Sequence, residues 1–455
     1  EQAAEDHGQR AEHDGEPVDH VGHGDQAHVL AEGRDGRAAE HAAGHGRDKS
    51  VAGKRAGDLF FRDVPAETAG ADRVIDAHGM ALLPPFYNTH THQAMALLRG
   101  YGDDMALFTW LNDRIWPLEA KLTAHDIYVG SKLAILEMIK SGSVLFNDMY
   151  WLVEETIRAA EELGVRALVA DTVMDRRGTA VLNEAFARTK RLARNLEGTL
   201  IGVTVAPHAV YTAGTDLLKR CANFARDNGL TLHMHLSETA QENADCIKAH
   251  GMTPTAYCDS LGLLTEKSVL AHCVHLTDAD IEILAKRRST LSHNPSSNMK
   301  LASGVFRSKA VTDAGCRVAL GTDGCASNNN VDMREEMKFA ALLAKVNFGP
   351  EVLPAHQVFD WATRAGADAF GLNAGVIREG AAADALLIRT DNSTRFTPGY
   401  NLISDWVYSA QSSSIDTVIC NGAVIMEKGH VPGEETIIEE ARAAAADLLK
   451  RASRT

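Results

Sequence analysis

The sequence predicts an α/β fold: a (β/α)8 barrel of the TIM type with a small β domain beside it. Three observations carry this expectation. Between Leu82 and Gly321, short apolar runs alternate eight times with longer amphipathic ones. Glycines stand where helices should stop, just before the next strand. Polar, metal-ligating side chains gather at the strand ends, where barrel enzymes keep their active sites. Eight strand–helix units over about 240 residues is the count and size of such a barrel. A doubly wound sheet gives the same alternation, but it does not gather all the strand ends around one centre.

Length and composition bound the rest. The 455 residues fit one large domain with an accessory one, and 45% hydrophobic residues is the share of a soluble globular chain. A net charge of −15 argues against nucleic acid or an anionic membrane as partner and reads as solubility. No apolar run approaches the ~18 residues of a membrane span, and the first residues are polar, so no secretory signal is visible. The seven cysteines (Cys221, Cys246, Cys258, Cys273, Cys316, Cys325 and Cys420) are odd in number and absent from the first 220 positions. That pattern fits reduced thiols and predicts a cytoplasmic protein.

Along the chain, residues 1–58 do not read as folded. They are rich in Ala, Gly, charged residues and His, including His7, His13, His20, His23, His28, His41 and His45. A metal-binding tract would need a repeating ligand spacing, which is missing. The segment reads as a disordered tail, or as a non-native, out-of-frame translation of a GC-rich gene. The apolar run Leu82–Tyr87 then leads as one strand into His90. The following strands are predicted at 143–148, 166–174, 200–207, 230–236, 268–274, 290–293 and 317–321. Helices are predicted at 127–139, 153–163, 216–227 and 278–286 from apolar residues three or four apart. Gly142, Gly164, Gly229 and Gly315 mark helix ends. After the barrel, 383–388, 406–407, 417–421 and 423–426 read as short strands with a turn at Asn421-Gly422, and 434–451 as a terminal helix. The expected division is therefore 59–83 and 375–432 in the small β domain, 84–374 in the barrel and 433–455 in the C-terminal helix.

The chemistry sits at the strand ends. On a strand, residues two apart share a side, so His90 and His92 present two imidazoles to one point. The fifth strand ends in His233, His235 and Glu238; the sixth carries His272 and His275; the seventh ends at His293 and the eighth reaches Asp323. The bland reading is a set of separate, individually satisfied core histidines. Four strands ending together in titratable groups count against it. His90, His92, His235 and Asp323 offer three nitrogens and one carboxylate, a set that suits one Zn2+ and would also take Fe2+ or Mn2+. His233 shares the parity of His235 and is its alternative; His235 is preferred because it lies nearer the strand end. Glu238 is left to move protons, and His272 to hydrogen-bond the attacking water or the tetrahedral centre. Strand four (Thr204 to His208) has no lysine to bridge a second metal, so one metal per chain is expected.

Longer motifs carry a resemblance. They are Asn88-Thr89-His90-Thr91-His92 with Leu97-Leu98-Arg99-Gly100, Trp110 with Trp116-Pro117-Leu118-Glu119, Asp148-Met149-Tyr150, and Ala206-Pro207-His208. They continue with His235-Leu236-Ser237-Glu238, Ala271-His272-Cys273-Val274-His275, Ser292 to Leu301, Gly321-Thr322-Asp323-Gly324 and Ser327-Asn328-Asn329. From about residue 72 onward the chain resembles the amidohydrolase superfamily and, within it, the methylthioadenosine/S-adenosylhomocysteine deaminases. The resemblance implies a barrel flanked by a small β-sandwich domain. It also implies an aminohydrolase in which a metal-activated water attacks C6 of an adenine nucleoside. Asp323 would take the water's proton and Glu238 would protonate the ring nitrogen. Glu119 matches the residue that binds the ribose hydroxyls, with Trp110, His208, Glu238 and His272 also at the substrate.

Two departures stand out: residues 1–58 lack the strands expected of that segment, and Asp171 falls where some relatives carry an arginine for the homocysteine carboxylate, so that a carboxylate there would repel that group and favour a substrate without the amino-acid tail. Three readings stay open: the nucleoside deaminase, a deaminase or chlorohydrolase of another heterocycle (a guanine-type base or an s-triazine), and a non-catalytic binding protein on the same fold. The first expects a small-molecule nucleoside as partner, with homo-oligomer formation left open.

Overall fold

The computed structural model describes residues 59–61 and 73–453, so the expectation for residues 1–58 lies outside the described residues. Eight strands form one sheet in sequence order: β4 (Phe86–Thr91), β5 (Ser143–Tyr150), β6 (Arg166–Asp171), β7 (Ile201–Val205), β8 (Thr231–Leu236), β9 (Ser268–His272), β10 (Thr290–His293) and β11 (Arg317–Leu320). Every pairing between neighbours is parallel. The first and last strands also meet. Thr89 Oγ1 donates to Leu320 O at 2.8 Å, and Asp323 N donates to His90 O at 3.0 Å. A parallel strand covered on both faces reads as a continuous apolar run, and β5 is buried at all eight positions.

Helices fall where the pattern puts them. Ala124–Lys140 and Asp278–Arg287 each start in a capping box, Thr123 with Asp126 and Thr277 with Asp280. Val153–Leu163 and Thr215–Asn228 end at Gly164 and Gly229, whose φ of 71° and 67° lies in the region that only glycine enters freely.

Two readings need correction. The apolar run at Leu82–Tyr87 is two strands. Pro84 and Pro85 lack amide hydrogens, so the ladder breaks there. Before the break, β3 (Met80–Leu83) pairs antiparallel with β12 (Ala385–Arg389), which continues to β13 (Ile415–Cys420) and β14 (Ala423–Met426) as a four-stranded sheet. Trp406–Val407 lies in the helix Leu402–Tyr408, not in a strand. The Asn401 side chain caps that helix by accepting from Ser404 N at 2.9 Å, and Trp406 is buried between Phe86 and Phe396. Burial of the large ring outweighs its preference for strands.

The remaining strands, β1 (Leu59–Phe61) and β2 (Arg73–Ile75), pair parallel, and Ile75 packs on Leu387 and Ile419 of the four-stranded sheet. Among the described residues no helix is long and apolar enough to cross a membrane.

Candidate active site

The C-terminal ends of β4, β8, β9 and the loop after β11 bring His90, His92, His235, His272 and Asp323 together. The ligating atoms of His90, His92 and His235 lie within 4.8 Å of one another, as do those of His90, His272 and Asp323. The partners of the far ring nitrogens explain the arrangement. His92 Nδ1 donates to Met149 O at 2.6 Å and His235 Nδ1 donates to His208 O at 2.9 Å. A carbonyl oxygen can only accept, so both rings carry their proton on Nδ1 and turn the Nε2 lone pair inward. His90 makes the same move toward another imidazole, with Nδ1 2.8 Å from His233 Nε2. His233 is therefore a support for His90, and His235 is the strand residue that faces the cluster.

At the centre the two inward nitrogens of His92 and His235 stand 3.3 Å apart. Asp323 Oδ1 lies 3.4 Å from His90 Nε2 and 3.2 Å from His92 Nε2. His90 Nε2 is fully buried and has no hydrogen-bond partner. Buried lone pairs aimed at one point are unfavourable unless a cation joins them, and three imidazole nitrogens with one carboxylate suit a divalent ion. The residues fit a metal. Burial pushes His90 down to about 4 and lowers His235 strongly, which keeps both rings in the neutral, ligating form. For His92, burial acts in the same direction, yet contact with Asp323 carries it up to about 9; a divalent cation would compete for that proton.

The backbone bends to make room. His272 and Asp323 have φ of 72° and 61°. Such conformations in non-glycine residues cluster where function requires them. A Cβ on Gly321 would sit 2.4 Å from Asn294 Oδ1 and 3.0 Å from His90 Cβ, so only glycine lets the loop approach. The outer oxygen of Asp323, Oδ2, accepts from Ser297 Oγ at 2.7 Å and from Ser327 Oγ at 2.9 Å.

Beside the cluster lies Glu238, buried, with Oε2 3.8 Å from His272 Nε2 and Oε1 3.4 Å from Ser303 Oγ. Desolvation raises its carboxyl above the usual range, so it holds a proton more tightly than an exposed glutamate. His272 Nδ1 lies 2.8 Å from Asn298 Oδ1, which leaves Nε2 directed at the site. A pocket opens over these groups. It is lined by His92, His208, His235, Glu238, His272 and Asp323 together with Trp110, Trp116, Glu119, Trp151, Arg176 and Tyr211. One π-helical turn, Leu111–Ile115, sits between Leu107–Trp110 and Trp116–Glu119, the segments that carry Trp110 and Glu119. Glu119 is buried and accepts from Tyr150 OH at 2.6 Å. Burial pushes its carboxyl up to about 7, against the opposing hydrogen bond from Tyr150.

The amidohydrolase family model matches residues 81–425. The chain belongs to the amidohydrolase family. A 5′-deoxyadenosine deaminase of Methanospirillum hungatei JF-1 is 45% identical over 387 residues, covering 84% of this chain and 86% of that protein. The 5-methylthioadenosine/S-adenosylhomocysteine deaminase 1 of Archaeoglobus fulgidus is 44% identical over 391 residues, covering 85% and 92%. The crystal structure of an adenosine deaminase from Xanthomonas campestris with bound zinc superposes with a TM-score of 0.80 at 34% identity, over 83% of this chain and 88% of that one.

Of the residues named for metal, catalysis or substrate in this amidohydrolase, His92, Trp110, Glu119, His208, His235, Glu238, His272 and Asp323 line this pocket, and His90 lies behind it against Asp323 and His233. The other strand-end histidines do not line it. His275 Nε2 lies 2.6 Å from Ser303 O, and His293 stacks on Phe306 at 4.3 Å. Asp171 departs from expectation. It ends β6 but lies outside the pocket, with its carboxylate paired to Arg177 at 2.7 Å and to Arg188. Two guanidiniums neutralise it, so it repels nothing in the pocket. The charged residue that does line the pocket from this segment is Arg176, stacked over the Trp116 ring at 4.1 Å. Sequence reasoning gave no role to Tyr150, Arg176, Ser297 or Ser327. Tyr150, Ser297 and Ser327 lie inside the quoted motifs, but hydroxyls as common as these gain meaning from what they touch.

Proposed function

We propose that this amidohydrolase hydrolytically deaminates adenine nucleosides altered at the 5′ position, such as 5′-deoxyadenosine, 5′-methylthioadenosine and S-adenosylhomocysteine, to the inosine-type product and ammonia. One observation carries the reading. The buried Glu119 carboxylate, held by Tyr150, shares a pocket with the His92–His235–Asp323 cluster. A nucleoside in this pocket would place its base at the cluster and its ribose hydroxyls on Glu119. The two archaeal relatives described above support the choice of substrate class.

His90, His92, His235 and Asp323 would hold one divalent ion per chain, with Zn2+ our assignment. When bound, such an ion acts as a Lewis acid and lowers the pKa of a water to near 7. The chain's own groups do the rest. Asp323 accepts a proton from the attacking water. Glu238, its carboxyl raised by burial, delivers a proton to the ring nitrogen next to C6. His272, with Nδ1–H held by Asn298 Oδ1, keeps Nε2 as an acceptor for the hydroxyl added at C6. The proton taken up by Asp323 passes to the exocyclic amino group, the C–N bond breaks and ammonia leaves, while the C6 hydroxyl returns its proton to Glu238 and becomes the carbonyl. Trp110 and His208 flank the base and sugar. Arg176 faces the 5′ side as a cation, so S-adenosylhomocysteine stays among the substrates despite Asp171.

For the architecture, we read the eight-stranded sheet as a closed (β/α)8 barrel over 84–374, supported by the Thr89–Leu320 bond. We read the two smaller sheets as one β-sandwich domain flanking the barrel, supported by Ile75 against Leu387 and Ile419, followed by the C-terminal helix Glu434–Ala452. Seven unpaired cysteines support work in the reducing cytoplasm.

The test is a spectrophotometric deamination screen with zinc-replete protein. 5′-Deoxyadenosine, methylthioadenosine, S-adenosylhomocysteine and adenosine should be turned over at least about tenfold better than guanine or an s-triazine, the discrimination that loss of a single oriented hydrogen bond to a charged group gives. Turnover of guanine or a triazine with no nucleoside activity would replace this reading with that of another heterocycle.

A further inference from the structure

Outside the pocket, a buried carboxylate ties together the two loops that hold Asp323. Glu336 stands on the helix Met333–Phe348 and is fully buried. Its Oε2 accepts from Ser296 N at 3.1 Å and its Oε1 accepts from Asn328 Nδ2 at 2.8 Å. Ser296 belongs to the short helix Pro295–Lys300 after β10, and Asn328 to the short helix Cys325–Asn328 after β11. Each of these helices carries one serine that binds Asp323 Oδ2: Ser297 at 2.7 Å and Ser327 at 2.9 Å. Asn328 Nδ2 also donates to Thr322 O at 2.7 Å, next to Asp323 itself. Glu336 does not line the pocket, and neither the mechanism above nor the sequence reading gives it a role.

We infer that Glu336 is a positioning residue: it clamps the Ser297 and Ser327 helices together so that both hydroxyls fix Asp323 Oδ2 and Oδ1 faces His90 and His92. This inference rests on the assignment of Asp323 as a metal ligand. The physical logic is that of an outer partner orienting a ligand. A carboxylate free to rotate samples geometries in which neither oxygen faces the imidazoles, and groups that stop the rotation raise both metal affinity and rate. A carboxylate suits the clamp because it offers two acceptors to two donors that approach from different elements.

The test is a mutant cycle on the full-length protein. Glu336→Met keeps much of the volume and removes both acceptors. Zn2+ affinity, measured by competition with a chromogenic chelator, should fall roughly 10- to 100-fold, the range for loss of an outer partner. The kcat for the best nucleoside should fall with it, while KM stays within about twofold, because Glu336 touches no substrate. In a Ser297→Ala/Ser327→Ala background the same substitution should cost less than about threefold, since the hydroxyls through which it acts are gone. Where Glu336→Met gives no folded protein, Glu336→Gln, which keeps one acceptor oxygen, takes its place in the cycle. An undiminished effect in the serine-free background would overturn the inference, as would unchanged Zn2+ affinity in the single variant. The chelator measurement needs no substrate. A failed deamination screen therefore leaves it informative, and a failed cycle leaves the deaminase reading standing.

Discussion

Two buried polar clusters occupy opposite ends of the same parallel sheet, and they are built on opposite principles. At the N-terminal end, Asp384 accepts from Tyr87 OH at 2.6 Å, from Arg166 Nη2 at 3.1 Å and from Asn421 N at 2.6 Å, while Gly375 N donates to Tyr87 OH at 3.2 Å. Both carboxylate oxygens have donors, and the charge has a guanidinium. At the C-terminal end, His90 Nε2 has no hydrogen-bond partner, and the nitrogens of His92 and His235 face each other across 3.3 Å. The first cluster is closed and joins the parallel sheet to the four-stranded one. The second is open, rich in lone pairs and adjoins a pocket. A buried polar group thus points to ligand chemistry when its partners are missing, and to architecture when they are complete.

The largest expected effects break the two clusters in different ways. His92→Ala should abolish tight Zn2+ binding and reduce turnover on the order of 10⁴-fold, the loss expected when several kcal/mol of Lewis-acid stabilisation disappears. Asp384→Ala should leave Zn2+ content and kcat per folded molecule near wild type. It should cost about 3–5 kcal/mol of stability in a denaturant melt, because Arg166 is left buried without its counter-charge. If Asp384→Ala lost Zn2+ while the melt stayed put, the contrast between the two ends would collapse.

A smaller effect tests roles within the open cluster. Glu238→Gln should retain one equivalent of Zn2+ and lose about 10²- to 10⁴-fold in kcat, the usual worth of a positioned proton carrier. Loss of metal in this variant would make Glu238 a ligand and reassign the cluster.

What the sequence reveals follows the same divide. The open cluster is legible because its residue types are costly to bury and stand at fixed spacing on strand ends, as His90 and His92 do. Strands β5 to β11 are legible because apolar runs follow helix-stopping glycines such as Gly142 and Gly229. The closed cluster is not legible: Tyr87, Arg166 and Asp384 lie far apart in sequence, and each is unremarkable alone. Pro84–Pro85 could have signalled the break between β3 and β4. Trp406 could not have signalled its helix, because packing against Phe86 and Phe396 decides that conformation. Asp171 shows the converse limit. Its position in the motif invited a role in the pocket, and only the placement of Arg177 and Arg188 shows its charge already matched.

The smallest effect concerns Glu119, which has features of both clusters: one firm partner in Tyr150 and one face open to the pocket. Burial pushes its carboxyl up to about 7, and the Tyr150 bond only partly offsets that rise. The proton therefore competes with the ribose hydroxyls near neutrality, whereas an exposed glutamate would lose its charge near pH ~4.3. The sign follows directly. The carboxylate that accepts two donors is present above about pH 7 and is lost as pH falls through it. KM for 5′-methylthioadenosine should thus rise roughly tenfold from about pH 8 to about pH 6, as one pKa unit of titration per tenfold predicts. Each ribose contact is worth ~1.5–3 kcal/mol, so the 2′-deoxy analogue should be about 10- to 100-fold poorer in kcat/KM at the higher pH. Its KM should change less with pH, because it has one hydroxyl fewer to lose. Glu119→Gln should flatten the profile for both substrates, since an amide does not titrate. Equal kcat/KM for the ribo and deoxy substrates in wild type would eliminate the clamp. A KM profile that survives Glu119→Gln would move the titration to another group in the pocket.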